Sequence, residues 1–188
     1  VLQQFYERKE RVCATLRSGL EKTCAALGVT LVRGKGRLLG GGVVEVTGKG
    51  ASSSLSADYV ILATGSHPVN LPGLTADHKH ILTSDDALKL THVPASIIIV
   101  GGGVIGCELA CIYRAFGSTV TVVEGQDRIL PLPSVDADIS TLLQREMKKR
   151  RIACELGQTL THVRVDENGV SGMLASSPFV SGAPARPE

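Results

Sequence analysis

Tryptophan is absent from this sequence, and phenylalanine and tyrosine supply three residues each, so aromatics make up 3% of the chain. A surface built to hold nucleic acid combines clustered cations with aromatic stacking platforms. Here the cations are scattered and the net charge is only +2, so nucleic acid is not expected as a partner. The one basic cluster, Lys148-Lys149-Arg150-Arg151, closes an expected helix, where cations suit the negative end of the dipole. No apolar run reaches the ~20 residues that cross a bilayer, and no N-terminal segment has the make-up of a signal peptide. No membrane association is expected. The five cysteines (Cys13, Cys24, Cys107, Cys111 and Cys154) are odd in number and irregularly spaced. That excludes a secreted disulfide scaffold and fits a reducing compartment, the cytoplasm or, in a eukaryote, the mitochondrial matrix. Cys107 and Cys111 lie four apart on an expected helix and read as small buried side chains. Residue 1 is Val rather than Met. The stretch from Ala175 to Glu188, rich in Ser, Pro, Gly and Ala, has no helix or strand period and reads as an irregular tail.

What is present is globular: 43% of the 188 residues are hydrophobic, enough chain for one full domain or parts of two. The organising stretch runs from Ile97 to Glu108. Ile97-Ile98-Ile99-Val100 is an expected buried strand. Gly101, Gly103 and Gly106 supply Gly-x-Gly-x-x-Gly, and a helical pattern follows to Phe116, with Ile105, Leu109, Ile112, Tyr113 and Phe116 expected on its inward face. The first glycine permits a tight turn, the second lets a pyrophosphate approach the backbone, and the third lets helix and strand pack closely. The helix N-terminus then offers N–H groups to the anion. A second strand, Val120-Thr121-Val122-Val123, ends in Glu124, placed to bond the ribose hydroxyls of an adenosine. A carboxylate there repels a 2′-phosphate. Gly125 and Gln126 offer no cation, and Arg128 reads as an exposed loop charge, so NAD is expected over NADP.

Around this unit, residues 2–27 read as an amphipathic helix with Leu2, Phe5, Val12, Leu16, Leu20 and Cys24 on its stripe, stopped by Gly28. Strands are expected at Thr30–Val32 and Val43–Val46, with glycine turns at 40–42 and 48–50, as in a small antiparallel meander. Asp58–Ala63 is an expected buried strand entering Thr64-Gly65-Ser66, and residues 67–73 a linker. Asp77-His78-Lys79-His80 reads as a solvated loop rather than a metal site, and Ser84 as the cap of a short helix over 85–90. Past Glu124, a loop holds Leu130-Pro131-Leu132-Pro133, and a helix is expected over 135–147 with Ile139, Leu142, Leu143 and Met147 inward. A strand follows at Ile152–Cys154, then a hairpin around Asp166-Glu167-Asn168-Gly169.

Taken together, these residues resemble a family. The run Ala63-Thr64-Gly65-Ser66-x-Pro-x-x-Leu-Pro-Gly, then Ser84-x-Asp-Ala-Leu, Pro94, Gly-Gly-Gly-Val-Ile-Gly-Cys-Glu, Phe116-Gly117-Ser118 and Val123-Glu124 is similar to the FAD-dependent pyridine nucleotide-disulfide oxidoreductases. The likeness runs from near residue 1 to about residue 174. It is strongest to members that use NAD+ to reoxidise dihydrolipoyl groups for 2-oxo-acid dehydrogenase complexes; NADH oxidases, mercuric reductases and transhydrogenases share the architecture. The resemblance implies an α/β protein with two Rossmann-like dinucleotide-binding domains, both incomplete. Residues 1–67 would be the C-terminal part of an FAD-binding domain, 68–174 an NAD-binding domain lacking its last strand, and 175–188 the tail. It further implies that Thr64, Gly65 and Ser66 lie against the flavin nucleotide and Gly36 near its adenine. Gly101, Gly102, Gly103, Val104, Ile105, Gly106, Cys107 and Glu108 would form the NAD pyrophosphate loop, with Ile105 and Glu108 beside the nicotinamide and flavin. Glu124 would be the ribose acid and Leu160 a backbone contact near the NAD adenine. A homodimer is implied for the complete enzyme.

The departures carry weight too. The family's first Gly-x-Gly-x-x-Gly, its redox Cys-x-x-x-x-Cys, its C-terminal dimerisation domain and its Gly-Arg-x-Pro-Asn-like closing run have no counterpart here. His67-Pro68 belongs to the linker and is not the family's His-Pro motif. The expectation is a central piece of such an enzyme, unable to run the cycle by itself, or else a non-catalytic module that binds NAD.

Overall fold

A computed structural model describes residues 2–48, 51–167 and 169–180. The chain forms two compact units, residues 3–67 and residues 68 onward.

In the first unit, α1 (Leu2–Ala26) is a long helix none of whose residues is buried. Its end is fixed by Gly28, in the left-handed region at φ +70. The Gly28 N–H donates to Ala25 O (3.2 Å) and the Val29 N–H to Cys24 O (2.9 Å), which satisfies carbonyls the helix would otherwise leave bare. A meander follows: β1 (Lys35–Gly40), β2 (Val43–Gly48) and β3 (Ala51–Ser56), antiparallel in the order β1-β2-β3. Lys49 and Gly50 of the expected second turn lie outside the described residues. β3 carries a serine-rich sequence with no apolar alternation, yet pairs along its whole length with β2. Backbone pairing, which every residue type can supply, makes that strand.

Two expected strands of this unit are not formed. Thr30–Val32 and Asp58–Ala63 have the backbone of irregular chain, with Tyr59 91% and Ile61 90% exposed. Their apolar composition favours strand, but a strand exists through its neighbours, and among the described residues nothing pairs with either segment.

In the second unit, a turn closed by the Leu71–Leu74 bridge leads to a loop organised by Asp77, whose Oδ1 accepts the N–H groups of Lys79, His80 and Ile81 at 2.7–2.9 Å. The short helix α2 (Ser84–Ala87) is capped by Thr83, one residue before the expected cap. Thr83 and Asp86 form a reciprocal capping box, which Ser84 could not make because residue 87 is alanine.

The rest is βαβαβ followed by a hairpin: β4 (Ser96–Val100), α3 (Val104–Phe116), β5 (Thr119–Glu124), α4 (Ala137–Lys149), β6 (Ile152–Leu156), β7 (Gln158–Asp166) and β8 (Gly169–Ser176). The first three of these strands form a parallel sheet in the order β4-β5-β6, a Rossmann-like arrangement. Central β5 buries Val120 and Val122 on one face and Val123 on the other. Val120, Val122, Ile129, Ala110, Tyr113 and Met147 are the heart of the core. The Tyr113 hydroxyl donates to Ala87 O at 2.5 Å, which ties α2 to α3.

The inward faces agree with those expected in part: Tyr113 on α3 and Met147 on α4 are buried, and Leu109 and Leu143 pack against the core. On α3 the buried residues are Cys107, Ala110 and Tyr113, while Ile105 is 60% exposed. On α4 they are Ser140 and Met147, with Ile139 and Leu142 exposed. Ile105, Ile139 and Leu142 are the expected inward residues that stay exposed, while the small Ala110 and Ser140 are buried. Cys107 is buried as expected, but Cys111, one turn further along the helix, is exposed. Arg128 is not an exposed loop charge. Its guanidinium donates to Val135 O (3.0 Å), Ser140 Oγ (2.9 Å) and Leu132 O (3.3 Å), and so pins the 130–136 loop to α4. Ala175 and Ser176, expected in the tail, extend β8, and residues 181–188 lie outside the described residues.

Candidate dinucleotide-binding site

The site is built at the carboxyl end of β4 and β5. Past Val100 the chain turns at Gly101, whose φ of +108 is a conformation that side chains resist. The Gly101 N–H donates to Val123 O at 2.8 Å, which keeps the turn on the sheet. Gly103 is the N-cap of α3, with φ −73 and ψ −173, and no side chain caps the helix. The N–H groups of its first turn are left for an anion.

The three glycines of the motif do different work. A Cβ at Gly106 would lie 2.0 Å from Gly101 O, so this glycine is demanded by the contact between helix and turn. A Cβ at Gly103 would meet nothing within 4 Å. The fold does not require glycine there, and the open space is where a pyrophosphate would come against the backbone. At Gly102 the nearest atoms to an added Cβ belong to Glu124, at 3.1–3.3 Å.

Glu124 is 8% exposed at the end of β5. Its Oε2 accepts the Gly102 N–H at 2.6 Å and its Oε1 accepts the Gln126 N–H at 2.8 Å. These two bonds occupy about half of the ~4 acceptor positions of a carboxylate, so capacity for hydroxyl donors remains. The turn is also held from outside, since the Leu130 N–H donates to Gly102 O at 2.7 Å. Beneath it, the Cys107 thiol donates to the same carbonyl at 3.4 Å, and burial pushes that thiol up to about 11. Cys107 therefore supports the loop from the core side. Val104, Ile105 and Glu108 are exposed along the start of α3. Leu160 sits on β7 opposite Leu174 and is partly buried.

The residues matched to a flavin nucleotide are not gathered in this way. Gly36 lies on exposed β1 opposite Val46, and Thr64, Gly65 and Ser66 are exposed and outside any helix or strand. Among the described residues no group of His, Cys, Asp and Glu could hold a metal ion, and no helix is long and apolar enough to cross a membrane.

Sequence reading missed the support behind Glu124: the Gly157 N–H donates to Gln126 O (2.7 Å) and the Ser177 N–H to Gly157 O (2.8 Å). The glycine at 157, with φ +61 between two strands, was the available signal. Nothing in the composition around Ser177 pointed to it.

The sequence pattern of the pyridine nucleotide-disulphide oxidoreductases matches residues 2–178. The chain belongs to this family. Among its relatives, dihydrolipoyl dehydrogenase 3 of Pseudomonas putida is 37% identical over 92% of this chain and 37% of its own length. The dihydrolipoyl dehydrogenase of Chlorobaculum tepidum is 40% identical over the same shares. The chain thus spans about 37% of the length of these curated relatives. Among solved structures, LpdA of Mycobacterium tuberculosis superposes with a TM-score of 0.81 at 29% identity, covering 92% of this chain and 39% of that one. The HOCl-induced flavoprotein disulfide reductase RclA of Escherichia coli shares the fold, with a TM-score of 0.75 at 24% identity over 93% of this chain and 39% of its own.

Proposed function

We propose that this chain holds the pyridine nucleotide of an NAD-linked flavoprotein disulfide reductase, and that the reductase is a dihydrolipoamide dehydrogenase. The observation that carries the first part is the pairing of an uncapped helix N-terminus at Gly103 with a carboxylate at the end of the next strand. The names of the relatives support the second part. The substrate class is then a dihydrolipoyl dithiol. The partners are a second copy of the complete enzyme and a 2-oxo-acid dehydrogenase complex.

The residues present fit NAD. The first-turn N–H groups of α3 take the pyrophosphate, Gly103 leaves room for it, and Glu124 accepts from the adenosine ribose hydroxyls while repelling a 2′-phosphate. Bound NAD+ supplies hydride acceptance; this chain binds and orients it. The residues matched to FAD (Gly36, Thr64, Gly65 and Ser66) form no comparable cradle in the described structure. The task assigned to this chain is therefore nucleotide holding rather than the dithiol step.

Titration with NADH and NADPH tests this reading. The chain is expected to prefer NADH. Glu124→Ala is expected to weaken NADH about tenfold, as loss of hydrogen bonds to a charged acceptor implies, and to narrow the preference over NADPH. An unchanged preference in folded Glu124→Ala protein would remove the cofactor assignment.

A further inference from the structure

Phe179 lies one residue beyond the stretch that matches the family. Its ring is 71% exposed, in a chain with few aromatics. One exposed phenylalanine needs no explanation by itself, but this one is held in place. Its N–H donates to Ser177 Oγ at 3.2 Å, and Ser177 is 4% exposed. From Ser177 the hydrogen bonds run through Gly157 to Gln126, then to the Glu124 carboxylate and on to the Gly102 N–H. The backbone that carries the ring is thus tied by an unbroken series of bonds to the two groups assigned to the ribose and the turn.

Its position matters as well. A Cβ at Gly125 would lie 3.0 Å from Phe179 Cδ2 and 3.1 Å from Ser177 Oγ. The ring therefore rests against the backbone of the residue that follows Glu124. This is the carboxyl edge of the parallel sheet, where ligands of open α/β sheets bind. A flat apolar face left in water, next to the acid that would hold a ribose, matches the base attached to that ribose.

We propose that Phe179 forms the wall on which the adenine of the bound dinucleotide stacks. The proposal rests on the dinucleotide reading above and extends it to a residue outside the family pattern. The glycine at 125 belongs to the same arrangement, because a Cβ there would press on both the ring and the Ser177 hydroxyl.

The test is calorimetric titration of the full chain with NADH, with AMP and with nicotinamide mononucleotide. Phe179→Ala is expected to weaken NADH and AMP by roughly five- to hundredfold, the range that stacking a base on an aromatic ring implies. Nicotinamide mononucleotide, which has no adenine, should be unaffected, and Phe179→Tyr should bind AMP as the wild type does. Equal or tighter AMP binding by Phe179→Ala would overturn the ring's role and leave the dinucleotide site standing. Failure of the wild-type chain to bind NADH would overturn both.

Discussion

At the scale of single residues, burial rather than sequence position decides what each side chain does. The cysteines show it. Cys107 is buried, and burial holds its thiol near 11; burial also pushes Cys154 up, whereas Cys13 and Cys111 are exposed. The thiolate is the reactive form. Cys13 and Cys111 should therefore react quickly with a maleimide in the folded chain, while Cys107 reacts on unfolding. Peptide mapping of the labelled sites checks this, and labelling of Cys107 as fast as Cys111 would contradict the packing described. The same scale shows what could be read beforehand. The roles of Gly101 and Gly106 were legible, because the motif states a steric demand that the φ of +108 and the 2.0 Å approach bear out. Arg128 was not, since nothing in sequence says that three acceptors will converge on one guanidinium.

At the scale of elements, local chemistry sets loops and packing sets faces. The loop before α2 is held by two carboxylates. Bonds from the backbone of Lys79, then His80 and Ile81, lower Asp77 from 3.8 to about 2. The Thr83 hydroxyl, then its N–H, then His78 lower Asp86 to about 2. Both carboxylates are depressed in the fold. Their stabilisation is therefore complete above the ordinary value of 3.8 and is lost as pH falls through about 2. Amide resonances of Ile81 and Thr83 should titrate with midpoints near 2, and Asp86→Asn should abolish the Thr83 response. Midpoints at the ordinary value would mean that the loop bonds do not form in solution. Strands β4 and β5 and helix α3 were legible as elements from their apolar runs and the glycine turn, but β4 is not buried as expected: it lies at the edge of its sheet, with Ile98 46% and Val100 39% exposed and only Ile99 buried. The inward face of α3 was legible in part: Tyr113 is buried and Leu109 packs against the core as expected, whereas Ile105 is 60% exposed and the small Cys107 and Ala110 are buried.

At the scale of the whole molecule, the two units differ in how far the sequence accounts for them. The unit from residue 68 onward buries a core around Val120, Val122 and Tyr113, and its βαβαβ order follows from the hydrophobic pattern. The unit at 3–67 keeps Leu16, Leu20 and Ile61 largely exposed. The run at 58–63 reads as strand from composition and is not strand in the structure, because composition states a preference for burial and cannot supply a neighbour. The dinucleotide site falls within the unit from residue 68 onward. Its most direct test is an NADH titration of Gly103→Ala beside the wild type, with thermal melting of both. A Cβ at Gly103 meets nothing within 4 Å, and φ −73 accepts alanine. The account predicts a melting temperature lowered by at most a few degrees, as alanine at an N-cap implies, and NADH binding weakened by about tenfold or more, ~1.4 kcal/mol, because the added methyl takes the space of the pyrophosphate. A Gly103→Ala chain that binds NADH as the wild type does would contradict the assignment of this turn.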